Sequence, residues 1–178
     1  MDDDTILCES LVVSEYVVEE FGGSLIPSSP KDRATMRLFT ELCGSNFAYF
    51  SLLRAKEDKL EAALKTFQEG LVATNAFLKH HSSGGPFLLG EQFTLAEVSV
   101  APFVQRACII LPAFTSNTNV VVNPRQICDE LGLDHLKAWI EAVMARPSVI
   151  ATGVPEEDLV KGTKRMLERF AEMEKKFD

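Results

Sequence analysis

Gly90-Glu91-Gln92-Phe93-Thr94-Leu95-Ala96-Glu97 contains the start signal of the most apolar helix in the sequence. Thr94 is a suitable N-cap residue, and Glu97 follows it by three positions, which is the spacing of a capping box. In that motif the Thr94 hydroxyl accepts from the Glu97 amide, and the Glu97 carboxylate reaches back to the Thr94 amide. Phe93 can pack on Val98 as a hydrophobic staple. We therefore predict a structural capping role for Thr94 and Glu97, not a catalytic one.

The residues after this signal, Leu95 to Leu111, are almost all apolar. A helix that is apolar on most faces belongs in the centre of a helical domain. Pro102, Gln105 and Arg106 interrupt the run, and we expect it to be too short and too interrupted to span a bilayer. Apolar residues recur at helical spacing through most of the chain. The predicted fold class is therefore all-α, a bundle of about six or seven helices.

The segments before the central helix begin with a short apolar run at 5–8, which predicts an edge strand. A helix follows to about Phe21, although its paired valines would also permit a strand. The side of this helix predicted to face inward consists of Leu11, Val12, Tyr16, Val17 and Val18. Turn residues at 24–30 predict a linker. Ser29 and Pro30 are a cap and a first helical residue, so the next helix should run from there to about Ala55.

Composition and net charge indicate a folded chain and exclude some classes of binding partner. The chain has 178 residues, of which 46% are hydrophobic, and a net charge of -8. A chain of this kind can bury a substantial core. Its acidic balance argues against nucleic acid and anionic membranes as partners.

The cysteines and histidines show no metal-binding pattern. Cys8, Cys43, Cys108 and Cys128 are far apart, and no Cys-x-x-Cys motif is present. Three of the four lie among apolar residues and are predicted to be buried free thiols, which indicates a reducing compartment. The acidic start of the chain does not resemble a signal peptide. We expect a cytoplasmic protein and no metal site.

The order and spacing of several motifs resemble a cytosolic glutathione transferase, most closely its omega-like branch. The matching segments are Leu7-Cys8-Glu9-Ser10, Leu25-Ile26-Pro27, the capping-box segment at 90–97, His135-Leu136-Lys137-Ala138-Trp139 and Ala145-Arg146-Pro147-Ser148-Val149. The resemblance implies that residues 1–23 are a remnant strand and helix of the thioredoxin-like domain. It implies a linker at 24–30 and the carboxy-terminal helical domain at 31–178. The family usually has aspartate where this chain has Glu97, and capping survives that exchange.

The resemblance also implies a binding site for glutathione, which is a substrate of this family. Glu9 and Ser10 resemble the pair that holds its γ-glutamyl end. The chemistry fits, because a carboxylate can pair with an ammonium group, and a hydroxyl with a helix-start amide can hold a carboxylate. The alternative from the residues alone is that Glu9 or Ser10 only caps the first helix.

The resemblance places a cleft for the second substrate beside the central helix. Phe103 and Arg106 lie three residues apart on one helix face and match positions that face this cleft. The alternative is that Phe103 is core and Arg106 pairs with a carboxylate of a neighbouring helix. Asn46 and Phe50 are further cleft candidates, although most residues of this kind serve packing.

No residue is assigned as the catalytic nucleophile. In the family, that serine, tyrosine or cysteine lies near the start of the thioredoxin-like domain, and here only about ten residues precede the first helix. Cys8 does not match that position. Apolar residues that normally meet the rest of this domain, namely Leu11, Val12 and Phe39, are expected to be exposed.

Two functional hypotheses follow. In the first, the complete protein conjugates glutathione to electrophiles in detoxification, or reduces mixed disulfides, with this chain supplying the cleft and part of the glutathione site. Such a protein is often a homodimer. In the second, the chain is a non-catalytic helical interaction module.

Overall fold

The computed structural model describes residues 6–47, 49–115 and 121–175. Across these ranges the chain forms nine α-helices: α1 (Ser10–Phe21), α2 (Pro30–Asn46), α3 (Tyr49–Leu53), α4 (Glu57–His81), α5 (Leu95–Thr115), α6 (Pro124–Leu131), α7 (Asp134–Ala145), α8 (Pro147–Thr152) and α9 (Glu156–Glu174). The same ranges contain no strand, only two isolated bridges at 87–92. The predicted all-α class is therefore confirmed.

Two predictions about secondary structure were wrong. Residues 6–8 form no edge strand, because no neighbouring strand is present to pair with them in the described part of the chain; Thr5 lies outside it. The helix predicted from Pro30 to about Ala55 is divided into α2 and α3. Phe47, at the division, is fully buried, and its amide still donates to the carbonyl of Cys43 at 3.0 Å. This division and the separate short helix α8 raise the number of helices above the predicted six or seven.

Helix α5 lies at the centre of the bundle and packs against α1, α2, α3, α6, α7 and α9. Ten of its residues are buried: Leu95, Ala96, Glu97, Val100, Ala101, Val104, Ala107, Ile110, Leu111 and Thr115. With 21 residues it is long and apolar enough to cross a membrane, so the expectation that it would be too short was wrong. Its packing inside the bundle gives the apolar sequence an ordinary explanation as the core helix.

The Glu97 side chain is fully buried in the first turn of α5 and connects three parts of the fold. Its Oε2 accepts from the Thr94 amide at 2.8 Å and from the Thr94 hydroxyl at 2.7 Å. Its Oε1 accepts from the Leu88 amide at 2.9 Å and from Nε1 of Trp139 at 3.2 Å. The carboxylate therefore joins the start of α5 to the preceding loop and to α7. Four neutral donors and the positive end of α5 compensate its burial.

One hydrogen bond of the predicted capping box is replaced. The Thr94 hydroxyl donates to the Glu97 carboxylate and accepts from the Ala96 amide at 3.3 Å, not from the Glu97 amide. The hydroxyl can do both because it carries one hydrogen and two lone pairs.

The loop that carries Leu88 is held closed by glycine contacts. The amides and carbonyls of Phe87 and Gly90 exchange hydrogen bonds of 3.0 and 3.1 Å. Gly85 lies directly against this turn, since a Cβ there would come within 2.3 Å of the Gly90 carbonyl carbon. Only glycine, which has no side chain, fits this close approach. The tight turn that results presents the Leu88 amide to Glu97.

The linker between α1 and α2 is hydrogen-bonded to the start of α5. The carbonyl of Leu25 accepts from the Leu95 amide at 2.9 Å, and the carbonyl of Ser24 accepts from Nε2 of Gln92 at 2.6 Å. These contacts fix the point at which α1 leaves the bundle.

Helix α1 contains no buried residue. The inward side predicted for it is therefore not covered: Leu11, Val12 and Val17 are all exposed, while Tyr16 and Val18 are partly buried. The exposure expected for Leu11 and Val12 is present. The exposure expected for Phe39 was wrong, because this ring is fully buried against Trp139, with ring centroids 5.3 Å apart.

We predict that Glu97→Ala lowers the free energy of unfolding by about 3 kcal/mol or more, because three N–H donors and a hydroxyl lose their buried acceptor. Urea unfolding followed by Trp139 fluorescence measures the change. Glu91→Ala, an exposed acid of the same loop, is the matched control and should change stability by less than about 0.5 kcal/mol. Equal effects of the two substitutions would contradict a structural role for the buried carboxylate.

Candidate functional site

A cleft of about 590 Å³ lies where α1 crosses α2 and the first half of α5. We call it the α1–α2–α5 cleft. Its lining residues are Ser10, Leu11, Ser14, Thr40, Glu41, Gly44, Ser45, Val98, Ser99, Val100, Pro102, Phe103 and Arg106. Three residues that the sequence singled out, Ser10, Phe103 and Arg106, thus line one surface although they are far apart in the chain. Its volume is that of a small-molecule site.

The turn that leads into α1 is unusual. Glu9 has φ 71° and ψ 115°, and in the described ranges it is the one residue other than glycine with a positive φ. A conformation of this kind costs about 1–3 kcal/mol and is often associated with a functional site. The Glu9 carbonyl still accepts from the Val13 amide at 2.9 Å, so α1 begins immediately at Ser10.

The amino end of α1 can hold an anion. Its first turn contains no acidic residue, and Ser10 is exposed at the edge of the cleft. The first amides of a helix have no intrahelical acceptor and carry the positive end of the dipole. A carboxylate placed there would accept from these amides and from the Ser10 hydroxyl.

An ion pair holds α1 in place. Nε and Nη2 of Arg37 in α2 donate to the two carboxylate oxygens of Glu15 at 2.8 and 2.9 Å. The hydrogen bond from Arg37 lowers the pKa of Glu15 below its usual value, burial opposes this shift, and the charge of Arg37 adds to it. Because no side chain of α1 is fully buried, this two-pronged pair is one of the main contacts that keep Ser10 beside α5.

Phe103 and Arg106 form the α5 wall of the cleft. Phe103 is 40% exposed, so it is not the core residue of the alternative interpretation. Arg106 is half-buried and lies beside the buried Tyr49. Burial raises the pKa of Tyr49, and the charge and hydrogen bond of Arg106 oppose that rise. Within the described ranges Arg106 makes no ion pair with a carboxylate, in contrast to the second alternative.

Phe50 and Asn46 do not line this cleft. Phe50 is 38% exposed and lies in a neighbouring groove of about 260 Å³ between α3, α5 and α9, which also contains Arg106. The Asn46 amide group instead donates to the Thr74 hydroxyl at 3.0 Å. Its backbone packs so closely on Gly70 of α4 that a Cβ at Gly70 would lie 3.1 Å from the Asn46 carbonyl oxygen. Asn46 therefore joins α2 to α4.

The polar face of α2 was not recognised in the sequence. Thr40 and Gly44, and likewise Glu41 and Ser45, are four residues apart and line the cleft together. Small and polar residues at this spacing on an otherwise amphipathic helix are a signal for a wetted face. The sequence pattern around Tyr49 did not indicate a role in the site, because its hydrogen bond with Arg106 forms only when α3 packs on α5.

The buried cysteines are not suited to nucleophilic chemistry. Burial raises the pKa of Cys43 and of Cys128 to about 12, and that of Cys108 to about 11. All three remain thiols at neutral pH, whereas the thiolate is the reactive form. Cys43 and Cys128 are buried as predicted, Cys108 is half-buried and Cys8 is exposed. Within the described ranges no three His, Cys, Asp or Glu side chains are grouped to hold a metal ion.

Comparison with known proteins identifies the family. The model of the glutathione S-transferase carboxy-terminal domain matches residues 49–142. The chain is 32% identical over 114 residues to a probable maleylacetoacetate isomerase of Caenorhabditis elegans, covering 59% of this chain and 52% of that protein. It is 26% identical over 160 residues to glutathione S-transferase U15 of Arabidopsis thaliana, covering 86% of this chain and 64% of that protein.

A solved structure agrees with this match. Glutathione transferase Omega 3C of Trametes versicolor superimposes with a TM-score of 0.70 at 26% identity, covering 93% of this chain and 67% of that protein. The chain belongs to the glutathione S-transferase family and contains its carboxy-terminal helical domain. It spans between half and two thirds of the length of the two curated relatives. Since a tau-class structure is also similar, the omega-like branch stays a prediction.

We predict that Arg37→Ala releases α1 without unfolding the bundle, because the pair it removes is partly exposed and contributes about 1 kcal/mol or less. Amide hydrogen exchange should quicken in α1 and stay unchanged in α5 and α7. Arg33→Ala, four residues earlier in α2, is the matched control and should leave α1 protected.

The wild-type chain should show the same loosening in acid. The pKa of Glu15 is lowered in the folded state, so the pair contributes stability above the pKa of an unfolded glutamate. That contribution is lost as the pH falls through the pKa of Glu15 in the folded state, which lies below the usual glutamate pKa of about 4.3. Exchange in α1 that does not depend on Arg37 or on this pH window would contradict the proposed role of the pair.

Proposed function

We propose that this chain supplies the second-substrate cleft and part of the glutathione site of a glutathione transferase-type enzyme. The observation that carries the proposal is the meeting of Ser10, Phe103 and Arg106 in the α1–α2–α5 cleft, next to the strained Glu9. Family membership supports it. The activity of the whole protein, conjugation or thiol reduction, is part of the same proposal.

The amino end of α1 would bind the γ-glutamyl group of glutathione. The Glu9 carboxylate would pair with its ammonium, and the Ser10 hydroxyl and the first amides of α1 would hold its carboxylate. The positive φ of Glu9 fits this arrangement, because it sets the direction in which the chain enters the helix. A site of this kind binds both charges of an amino-acid head group.

The α5 wall would bind the group attached to the glutathione sulfur. Phe103 offers an exposed aromatic ring, and Arg106, one helical turn further along α5, offers a guanidinium to the same cleft. An acceptor with an apolar body and an electron-rich edge suits these two side chains. The described residues supply binding and orientation, and none of them is proposed as the nucleophile.

The remaining assignments follow from this role. Glutathione is proposed as a substrate, the acceptor as a small electrophile or a disulfide, and the location as the cytoplasm. A homodimer is proposed because members of the family often form homodimers. The net charge of -8 supports the absence of nucleic acid and anionic membrane partners.

We predict that the chain binds S-hexylglutathione about tenfold more tightly than glutathione, since part of the hexyl chain would be buried against Phe103 at about 0.8 kcal/mol per buried methylene. Phe103→Ala should remove most of this difference and leave glutathione binding unchanged. Isothermal titration of both ligands measures it. Val72→Ala, which truncates a similarly exposed apolar side chain on α4, is the matched control.

Ser10→Ala should weaken both ligands by about the same factor, roughly fivefold to tenfold, because both share the γ-glutamyl group. Failure of the wild-type chain to bind either ligand would contradict the proposal and favour the interaction module. Loss of glutathione binding in Phe103→Ala, with no change in Ser10→Ala, would contradict the assignment of the two ends of the site.

A further inference from the structure

Arg106 carries its charge at the meeting point of two concavities. It lines the α1–α2–α5 cleft and also the neighbouring groove of about 260 Å³ between α3, α5 and α9. Each concavity is lined by one acidic residue, Glu41 in the cleft and Asp158 in the groove. Within the described ranges Arg106 forms an ion pair with neither of them. Its guanidinium is therefore not neutralised by either carboxylate.

The guanidinium of Arg106 is instead hydrogen-bonded to Tyr49 of α3. Tyr49 is only 4% exposed, and a guanidinium has donors alone, so the phenol oxygen is the acceptor. Burial raises the pKa of Tyr49, whereas the charge of Arg106 and this hydrogen bond lower it. Because the net shift is upward, Tyr49 is uncharged at neutral pH. It thus binds an N–H group of Arg106 without cancelling the positive charge.

The break between α2 and α3 holds Tyr49 in place. Phe47, at the break, is fully buried, and its carbonyl accepts from the Tyr49 amide at 2.7 Å. Leu52 follows Tyr49 by three residues, lies on the same face of α3 and is also buried. This short helix packs against both α4 and α5. The phenol oxygen therefore reaches Arg106 from a rigid support.

The orientation of Arg106 matters because a flexible side chain loses freedom when it binds a ligand, and a side chain that is already fixed loses less. Without the Tyr49 hydroxyl, the long side chain of Arg106 would be free to turn to Glu41 or to Asp158. Either ion pair would cancel the charge that the α5 wall offers to the cleft. A neutral acceptor avoids this loss.

We propose that Tyr49 is a positioning residue for acceptor specificity: its buried hydroxyl holds the guanidinium of Arg106, still charged, at the α5 wall of the cleft. Arg106 then favours an acceptor whose ring carries an electron-rich group over the same ring without that group. Tyr49 does not line the cleft and acts only through Arg106. The inference deepens the proposed function and rests on it.

The first test uses no ligand and measures the hydrogen bond itself. In the chain with isotope-labelled arginine, NMR should show slow rotation about the Nε–Cζ bond of Arg106. This rotation should be several-fold faster in Tyr49→Phe, which keeps the ring and removes the acceptor. In Arg106→Gln the pKa of Tyr49 should rise further, because the removed charge and hydrogen bond both lower it. Tyr16→Phe identifies the NMR signal of the other tyrosine in the chain.

The second test compares S-(para-carboxybenzyl)glutathione with S-benzylglutathione by isothermal titration. The wild-type chain should bind the carboxylated derivative about fivefold more tightly, since charge-assisted hydrogen bonds are the stronger ones. Tyr49→Phe should lower this ratio to the value found in Arg106→Gln and leave the affinity for S-benzylglutathione unchanged. Tyr16→Phe, which removes the hydroxyl of a tyrosine on α1, is the matched control and should preserve the ratio.

Equal rotation rates of Arg106 in the wild type and in Tyr49→Phe, or an unchanged pKa of Tyr49 in Arg106→Gln, would overturn the proposed hydrogen bond. An unchanged affinity ratio in Tyr49→Phe would overturn its role in specificity. If Tyr49→Phe does not fold, the tyrosine titration and the affinity ratio in Arg106→Gln decide. If the wild type binds neither derivative, the proposed function and the acceptor preference both fail, and the ligand-free measurements still decide whether Tyr49 holds Arg106.

Discussion

The fold depends on one buried carboxylate. Glu97 has no exposed surface, and in the described ranges it has no cationic partner. Burial of a charge without a counter-charge is costly unless hydrogen bonds replace its water. Here the donors come from Leu88, Thr94 and Trp139, and α5 directs the positive end of its dipole at the same group. Glu97 therefore fixes the relative positions of the start of α5, the preceding loop and α7.

This arrangement determines where the candidate site lies. The linker is hydrogen-bonded to Leu95 and Gln92, so the chain that leads from α1 is fixed to the same end of α5 that Glu97 organises. The α1–α2–α5 cleft uses residues of the first half of α5, while the second half packs into the bundle. The central helix thus provides a rigid wall that carries Phe103 and Arg106, whereas Ser10 lies on the more weakly held α1.

The sequence predicted the features that depend on local spacing. Thr94 and Glu97 are three residues apart, and that spacing was enough to place the start of α5. Phe103 and Arg106 were selected because they match positions that face the second-substrate cleft in the family, and both line the α1–α2–α5 cleft. The Leu88 and Trp139 donors were not predicted, because they lie 9 and 42 residues from Glu97 and meet it only through tertiary packing.

The errors also have physical causes. Phe39 was expected to be exposed from its place in the family pattern, yet Trp139 and Phe77 provide aromatic partners that bury it. Asn46 was placed in the cleft from its position on α2, but the break at Phe47 and the close approach of Gly70 direct it to α4.

The most direct test of the Glu97 account is native-state hydrogen exchange of the Trp139 indole N–H and the Leu88 and Thr94 amides. If these donors share one buried acceptor that the whole fold requires, all three should exchange only through global unfolding, with the same free energy as urea denaturation. Exchange of any of them through a local opening of much lower free energy, while the core of α5 stays protected, would contradict the account.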